Sequence, residues 1–493
     1  MGCKQFPLPI GREMRDIPAQ ADTWGGFMQR IAFLSRSLSK GKIRLVQQAA
    51  LTALICVFAA TALAQPTPAE QQAPKPPAPR ESPLPAVAQL GPAREIKLAP
   101  NTWFRFGAQV QAWLKVAQDR IMQPDGSSGS YAYDFYCRRC RFFATGSVIK
   151  NVYFNVLFES SNVGRADPAT GIKTNSIPQI LDAYGQVKFH SAFWLSGGSI
   201  LMPLTRNGMQ PTTTYLSIDN ANVDTTPVLQ GNSNVLRDLG IQANGFFLAN
   251  HLEYRLGVFQ GTRQAAVTAG TPPTTTQTAS HNAPRFVAMV SANVWDTETG
   301  YVNGGHYFGA KKVLGVMGNF DYQIFRKNAP PAAGADKNAY YGIGGAVFLN
   351  YPLSGTPSLK GGDEIVALLQ FGYYDGGFRT SPLGVTTNAG TYGAVLKQTN
   401  YLAEAGYYNH GARFSVFGKF ERRKISEDYL LAFRQAFPVP SQTWIAAGVK
   451  YYIAPFNFMN FALQYERINN DDAPGTQQGG TNNITFQMQT ILY

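Results

Sequence analysis

The chain has 493 residues, of which 44% are hydrophobic, 13% aromatic and only 15% charged, and its formal net charge is +13. The charged fraction is low beside the roughly 25% of soluble domains, and outside the N-terminal region no apolar run is long enough for a membrane-spanning helix. These values exclude a helical membrane protein. Basic residues are spread over the chain and not gathered in one stretch, so we expect no nucleic-acid partner.

The N-terminal region predicts an export signal. A basic segment from Lys40 to Arg44 precedes an apolar run from Ala49 to Ala64, which has the length of a signal-peptide core and is too short to cross a bilayer. The A-x-A pattern that ends this run predicts cleavage before Gln65. Residues 1–64 are therefore interpreted as a signal peptide with an extended leader, and Met28 is an alternative start.

The next segment, residues 65–100, is rich in proline and alanine. Such a composition cannot form a packed core and favours an extended or disordered chain. We interpret it as a periplasmic linker. Two roles stay open, a simple spacer and a tether to peptidoglycan or a periplasmic partner.

From residue 101 to 493 the sequence alternates between apolar and polar residues in short runs. The first run, from Phe104 to Val116, keeps this period of two over thirteen residues, longer than an average soluble strand and long enough to cross a bilayer when tilted. The pattern predicts an all-β fold, a transmembrane antiparallel β-barrel of sixteen strands. The strands are expected near residues 104–116, 135–149, 152–161, 179–190, 192–201, 235–247, 250–260, 284–295, 312–325, 339–350, 364–375, 398–408, 411–423, 442–453, 457–467 and 483–493.

The connections between these strands alternate between long and short, as tight periplasmic turns and long external loops would. An even strand number and this parity predict that both termini are periplasmic. Two connections, 296–311 and 351–363, fall at turn positions but are long, so fourteen or eighteen strands remain alternatives. The longest external connection, 202–234, is expected to fold inward and narrow the barrel; an outside surface loop is the alternative.

Mid-strand charges must point into the lumen, because Arg or Lys on the lipid face costs about 2–4 kcal/mol at mid-bilayer. The acidic inward residues are Glu159, Asp182, Asp238, Glu253, Asp321, Glu421 and Glu466. The candidate anion path consists of the basic inward residues and one loop arginine: Arg105, Lys115, Arg139, Arg141, Lys188, Arg206, Arg255, Arg413, Lys419, Arg423 and Lys450. The basic excess predicts a preference for anions; the alternative is that lumen charges pair across strands and only keep the pore wet.

Two cysteines remain after the predicted cleavage, Cys137 and Cys140. In a regular strand, residues three apart point to opposite faces, with Cα atoms about 10 Å apart. That distance is too long for a disulfide, and a metal site would need further ligands. We interpret them as two small, unlinked strand residues. Arg138 shares a phase with apolar neighbours, a conflict that a β-bulge or a position near the rim would relieve.

Two segments resemble the phosphate-selective porin O/P family. The first is Tyr136-x-Arg138-Arg139-x-Arg141, followed by Gly146 and Asn151-Val152-Tyr153-Phe154. The second is Asp182-Ala183-Tyr184-x-x-Val187, followed by Gly197-Gly198-x-x-x-Met202-Pro203-Leu204. The resemblance implies a sixteen-stranded outer-membrane porin, commonly trimeric, with a constricting third loop and an Arg/Lys-lined path for anions.

The sequence thus predicts an outer-membrane porin for passive diffusion of small solutes, with anions preferred and phosphate as one candidate. A general non-selective porin and a structural or adhesive barrel are the alternatives. We expect no enzyme activity, since the five histidines lie in or beside turns and no G-x-S-x-G occurs, and no cofactor or metal. The expected partners are small anions or other small solutes, outer-membrane lipid, two further copies of the chain in a homotrimer, and the barrel-assembly machinery, which would bind the last strand ending in Tyr493.

Overall fold

The structure is a computed structural model that describes residues 95–118, 131–166, 172–173, 176–225, 236–261, 283–324, 339–375, 397–427, 441–454, 458–471 and 479–492. The predicted signal peptide, almost all of the predicted linker and the terminal Tyr493 lie outside these residues. No helix in the described part of the chain is long and apolar enough to cross a membrane.

Sixteen long antiparallel strands form one closed barrel, which confirms the predicted fold and strand number. Each strand pairs with the next along the chain, and the last pairs with the first, from Asn483 opposite Ala117 to Leu492 opposite Ala108. With one short additional strand at the start, they are β1 (Ile96–Ala99), β2 (Thr102–Gln118), β3 (Tyr131–Ile149), β4 (Val152–Val163), β5 (Gln179–His190), β6 (Phe193–Leu201), β7 (Arg237–Phe247), β8 (Leu252–Phe259), β9 (Arg285–Asn293), β10 (Val313–Ile324), β11 (Ala339–Pro352), β12 (Glu364–Asp375), β13 (Gln398–Asn409), β14 (Phe414–Ile425), β15 (Gln442–Ala454), β16 (Met459–Asn470) and β17 (Gly479–Leu492).

The short strand β1 lies beside the barrel seam. It forms a hairpin with β2, with Ile96 opposite Phe104, and so pairs with the part of the β2 edge that β17 leaves open beyond Ala108. The last residues of the predicted linker, Ile96–Ala99, therefore join the sheet, while the linker itself stays a prediction. A paired edge has no unsatisfied backbone groups to offer to other chains.

The alternation of β2 appears directly in its burial. Phe106 is 60% exposed and faces outward, whereas the neighbouring inward residues Gln109 and Gln111 are 3% and 0% exposed. An apolar outside and a polar inside are what a barrel in lipid requires. The predicted phase of this strand is therefore confirmed.

The barrel has two distinct ends. One carries the short turns, such as the turn between β3 and β4 and the turn between β13 and β14, and we call it the short-turn end; the other is the long-loop end. The two connections that broke the predicted alternation, 294–312 and 353–363, do leave the short-turn end, and the count of sixteen strands holds despite their length.

Cys137 and Cys140 form a disulfide, so their interpretation as unlinked residues was wrong. Their Cα atoms are 6.5 Å apart, within the disulfide range. The cause is a bulge: Gln111 of β2 faces Arg139 and the next residue, Ala112, faces Cys137, which leaves Arg138 without a place in the ladder. An extra residue bends the strand and brings the two cysteines together.

Candidate pore constriction

Residues 202–225, which we call the inner loop, leave β6 at the long-loop end and fold into the barrel. Nearly all of them are buried, and they include a single helical turn, α1 (Asn222–Thr225). This confirms the prediction that the third long connection folds inward. The following residues, 226–235, lie outside the described part of the chain.

Inward-facing side chains of β12–β16 satisfy the backbone of the inner loop. The amide of Ser217 donates to Glu404, that of Ile218 to Gln464 and that of Val223 to Glu421, at 3.0, 3.3 and 3.1 Å. Buried backbone donors without partners are costly. The polar residues on this half of the wall therefore hold the inner loop.

Apolar side chains fill the space between the inner loop and the same wall. Leu216 and Ile218 of the loop are 2% exposed, and Phe348 and Leu368 of the wall are 1% exposed. The inward face of this half therefore mixes apolar residues with polar ones, because the inner loop covers it and excludes water. The cluster draws on every strand from β9 to β16 through Met289, Val313, Met317, Ala346, Phe348, Val366, Leu368, Leu402, Phe417, Trp444 and Ala462.

Residues 294–312, which we call the plug segment, fold into the barrel from the short-turn end and meet the inner loop. The amide of Asn303 donates to the Met209 carbonyl at 3.1 Å, and that of Gly305 donates to Thr214 Oγ1 at 2.9 Å. Arg206 of the inner loop donates to Glu298 Oε1 at 2.7 Å and to the Gly304 carbonyl at 2.8 Å. The long connection at this end is therefore an internal structural element.

The plug segment is fixed to the barrel wall by an aromatic cage. Phe308 packs edge-on against Tyr408 and Tyr452, at ring-centroid distances of 5.1 and 5.4 Å. The 353–363 connection closes over it, since the Gly362 amide donates to the Phe308 carbonyl at 2.9 Å. Both overlong connections thus belong to one packed unit.

Two adjoining cavities remain inside the barrel: the larger lies mainly against β2–β7, and the smaller lies between β2, β3, the inner loop and the strands β14, β16 and β17. The larger has a volume of about 540 Å³ and the smaller, nearer the long-loop end, about 210 Å³. Arg138 and Asp219 line both, as do Asn162, Asn220 and Asn222. Arg138 of the wall and Asp219 of the inner loop are in direct contact where the two cavities adjoin.

Four arginines and three carboxylates line the larger cavity. Asp219 accepts from both Arg138 and Arg139, Arg141 pairs with Glu159, and Arg237 pairs with Asp182 at 3.1 Å. Burial alone would raise the pKa of the Asp219 carboxyl, but the charges of Arg138 and Arg139 hold it below its usual range. One carboxylate serves two guanidinium groups, so positive charge is in excess here.

Four of the eleven predicted path residues line these cavities. Arg139 and Arg141 line the larger one, and Lys115 and Lys419 the smaller. Arg139 also donates to Gln111 at 2.9 Å and Arg141 to Thr212 Oγ1 at 2.7 Å, which ties β3 to β2 and to the inner loop.

Three predicted residues lie in the packed part of the barrel. Arg206 pairs with Glu298, Arg255 donates to Glu253 and to the Tyr301 carbonyl, each at 2.7 Å, and Lys450 donates to carbonyls of the inner loop, that of Ser217 at 2.9 Å. Their charges are engaged in holding the two in-folded segments.

The remaining four lie near the ends of strands. Arg105 pairs with Glu95, Lys188 lies 4.4 Å from the centre of the Trp194 ring, and Arg423 donates to Gln442 at 2.6 Å. Arg413 was wrongly assigned to a strand: it is exposed, lies in the turn before β14 with φ 51°, and donates to the Ile453 carbonyl at 3.0 Å.

Sequence reasoning missed four residues that line the cavities, Arg138, Arg165, Arg237 and Asp219. Arg138 had the wrong phase for a regular strand, and the bulge that was offered as one remedy is present. Arg237 is the first residue of β7, where alternation is hard to read. Asp219 lies in the long 202–234 connection, and its position depends on how that loop folds.

The closed barrel with an in-folded loop defines the class: the fold is a sixteen-stranded barrel of the porin type. Among solved structures it is similar to OmpF of Salmonella typhi in complex with daunomycin, with a TM-score of 0.51 and 10% sequence identity over 81% of this chain and 100% of that one. It is also similar to an anion-selective porin from Comamonas acidovorans, with a TM-score of 0.48 and 10% identity over 79% of this chain and 99% of that one.

No family model matches the sequence, and no curated protein does. The likeness to solved structures at 10% identity shows the fold alone. The resemblance to the phosphate-selective porin O/P family stays a prediction.

Proposed function

We propose that this protein is an outer-membrane porin that lets small solutes diffuse passively and prefers anions. The observation that carries the anion preference is the charge around the two cavities. Seven basic side chains line them, Lys115, Arg138, Arg139, Arg141, Arg165, Arg237 and Lys419, against four acidic ones, Glu159, Asp182, Asp219 and Glu466. The difference of 7 − 4 = 3 positive charges raises the local concentration of anions in a narrow, low-dielectric passage.

The orientation follows from the proposal. Long loops would face outside and short turns the periplasm, as in other barrels of this kind. The exported chain would then have both ends in the periplasm. A homotrimer and phosphate as a solute belong to the same proposal and are supported by the sequence resemblance. Recognition of the last strand by the assembly machinery also belongs to it and is supported by the terminal aromatic residue, Tyr493.

Conductance in planar bilayers tests the proposal. The purified protein should form channels whose reversal potential in a KCl gradient shows anion preference. Absence of channels would contradict the porin function and favour a structural barrel, which the filled half of the lumen would also suit. Cation preference would contradict the argument from lining charges. Addition of inorganic phosphate separates a phosphate-binding channel, in which chloride current falls, from a general anion channel, in which it does not.

The double variant Arg139→Glu with Arg141→Glu tests whether these two arginines set the anion selectivity. Reversal of two charges should lower the chloride-to-potassium permeability ratio several-fold. The matched control is Arg413→Glu, a single reversal in an exposed turn, which should leave the ratio unchanged. Because both arginines are paired with carboxylates, the milder Arg139→Gln with Arg141→Gln should be measured too; it should shift the ratio in the same direction, and channels of each variant show that it folds.

A further inference from the structure

The larger cavity changes character along β3 and β4. On these strands the inward residues form successive cross-strand pairs: Arg141 faces Glu159, and one step closer to the short-turn end Phe143 faces Leu157. Both members of the second pair line the cavity and are only half-buried, so they are open to it. A charged pair is therefore followed at once by an apolar one on these two strands, while Asp182 of β5, whose charge is paired with Arg237, faces Leu157 from the other side.

Two tyrosines extend the apolar side. Tyr184 of β5 and Tyr301 of the plug segment have ring centroids 4.7 Å apart with planes 31° apart, and both line the cavity. Apolar walls cannot replace the hydration shell of an inorganic ion. This surface therefore does not suit a channel for inorganic ions alone. Aromatic and aliphatic surface favours an organic body.

Gly107 makes the position of Phe143 possible. The two residues face each other across β2 and β3, and a Cβ atom added to Gly107 would come within 1.9 Å of the Phe143 ring. The ring therefore occupies the space over the glycine that a larger side chain would fill. In this position it still lines the cavity.

We propose that the larger cavity is a binding site for amphipathic organic monoanions, such as carboxylates that carry an aromatic or aliphatic body; this rests on the proposed porin function. The anionic head contacts the arginine cluster at Arg139 and Arg141, and the body packs on Phe143 and Leu157. Two residues of strand rise separate Arg141 from Phe143, about 7 Å, which suits a carboxylate joined to one ring. The volume of about 540 Å³ lies within the roughly 300–1,000 Å³ usual for small-molecule sites.

Competition with chloride current measures this binding. Benzoate and acetate carry the same head and differ in the body, and inorganic phosphate has a head alone. Block by benzoate should have an apparent Kd about tenfold lower than block by acetate, a difference of about 1.4 kcal/mol, and phosphate should block no better than acetate. Benzoate no tighter than acetate in anion-selective channels would overturn this inference and leave the porin proposal intact. Absence of channels, or cation selectivity, would overturn both.

Variants locate the site. Leu157→Asn keeps the size of the side chain and changes its polarity, and Phe143→Ala removes the ring; each should reduce the benzoate advantage from tenfold to threefold or less. The matched control is Phe142→Ala. Phe142 is the outward-facing neighbour and is 65% exposed, so this variant should keep the tenfold difference between benzoate and acetate. Arg141→Gln should weaken benzoate and acetate by similar factors. A tenfold advantage that survives both Leu157→Asn and Phe143→Ala would show that the body binds elsewhere and would overturn the assignment.

Discussion

Arg206 of the inner loop and Glu298 of the plug segment form the ion pair that joins the two segments inside the barrel, with 2.7 Å between Nη2 and Oε1 and exposures of 3% and 4%. The segments come from opposite ends of the barrel. The guanidinium also lies 4.1 Å from the centre of the Phe348 ring. This pair therefore connects both segments to the wall at one point.

Breaking this pair should loosen the constriction. Glu298→Gln leaves a buried guanidinium without its charge partner, which typically costs about 3–5 kcal/mol. We expect a lower unfolding temperature and noisier, larger single-channel currents. Arg206→Gln combined with Glu298→Gln should recover part of the stability, and Arg422→Gln, whose exposed ion pair with Asp471 contributes little, serves as the control. Equal stability of Glu298→Gln and wild type would contradict the role of the pair.

Removal of the negative charge between Arg138 and Arg139 should strengthen anion selectivity. Asp219→Asn raises the excess of lining charges from three to four and frees two guanidinium groups. The reversal potential in a KCl gradient should move further toward the chloride potential. Since the pKa of Asp219 is held below its usual range by these arginines, the carboxylate stays ionised through mildly acidic pH, and wild type should show no gain in selectivity from this group as pH falls from 7 to 5. A shift toward cations in Asp219→Asn would refute the assignment.

The inner loop should become less stable as pH rises toward neutrality. Burial raises the pKa of Asp224 to about 7, against a hydrogen bond from Gln370 that lowers it. An aspartate in the unfolded chain ionises near pH 4, so between about pH 4 and 7 the folded protein holds a proton that the unfolded chain has lost, and stability falls as pH rises through this window.

Asp224→Asn removes that linkage. The variant should be more stable than wild type at pH 8 by on the order of 2 kcal/mol and similar to it at pH 3, where Asp224 is protonated in both states. Thermal unfolding at the two pH values measures this. A difference of equal size at both would show that the effect is steric and not protonation.

Loss of the disulfide should affect selectivity through Arg138. The bridge encloses the bulge that presents Arg138 to Asp219, at 3.1 Å from Nε to Oδ2. A loop this short gives a stabilisation of only about 2 kcal/mol in the chain-entropy account, so Cys137→Ser with Cys140→Ser should still fold. We expect a changed chloride-to-potassium ratio with intact channels. Alkylation and mass measurement of the exported wild-type protein should find no free thiol unless it is reduced first.

The strands were predictable because their cause is local. One face of each strand contacts lipid, so alternation alone places elements such as β2 and β14 to within a few residues. The interior was not predictable from alternation. The same inward phase contains Arg141, which lines a cavity, and Lys450, which binds carbonyls of the inner loop. Whether an inward side chain lines a cavity or holds the inner loop depends on contacts such as that of Lys450 with Ser217, more than two hundred positions apart.

The two long turns show the same limit. Residues 296–311 and 351–363 were recognised as anomalies of the pattern, but their meaning lay in the pairing of Gly362 with Phe308 and of Asn303 with Met209. The disulfide was missed because regular strand spacing was assumed for a segment that contains one extra residue, Arg138.

The filled half of the barrel, from β9 to β16, has a consequence for how this protein can vary. Side chains there are packed as in the interior of a soluble protein, where a change of one methylene is felt. Inward residues of β4 that line the larger cavity, such as Asn155, Leu157 and Ser161, border open space and tolerate exchange better. Mutations that alter what passes and mutations that alter whether the chain folds therefore fall mainly on different parts of the wall, although Lys419 of β14 lines the smaller cavity. Solute preference can therefore change among descendants of this sequence while the filled half of the barrel stays intact.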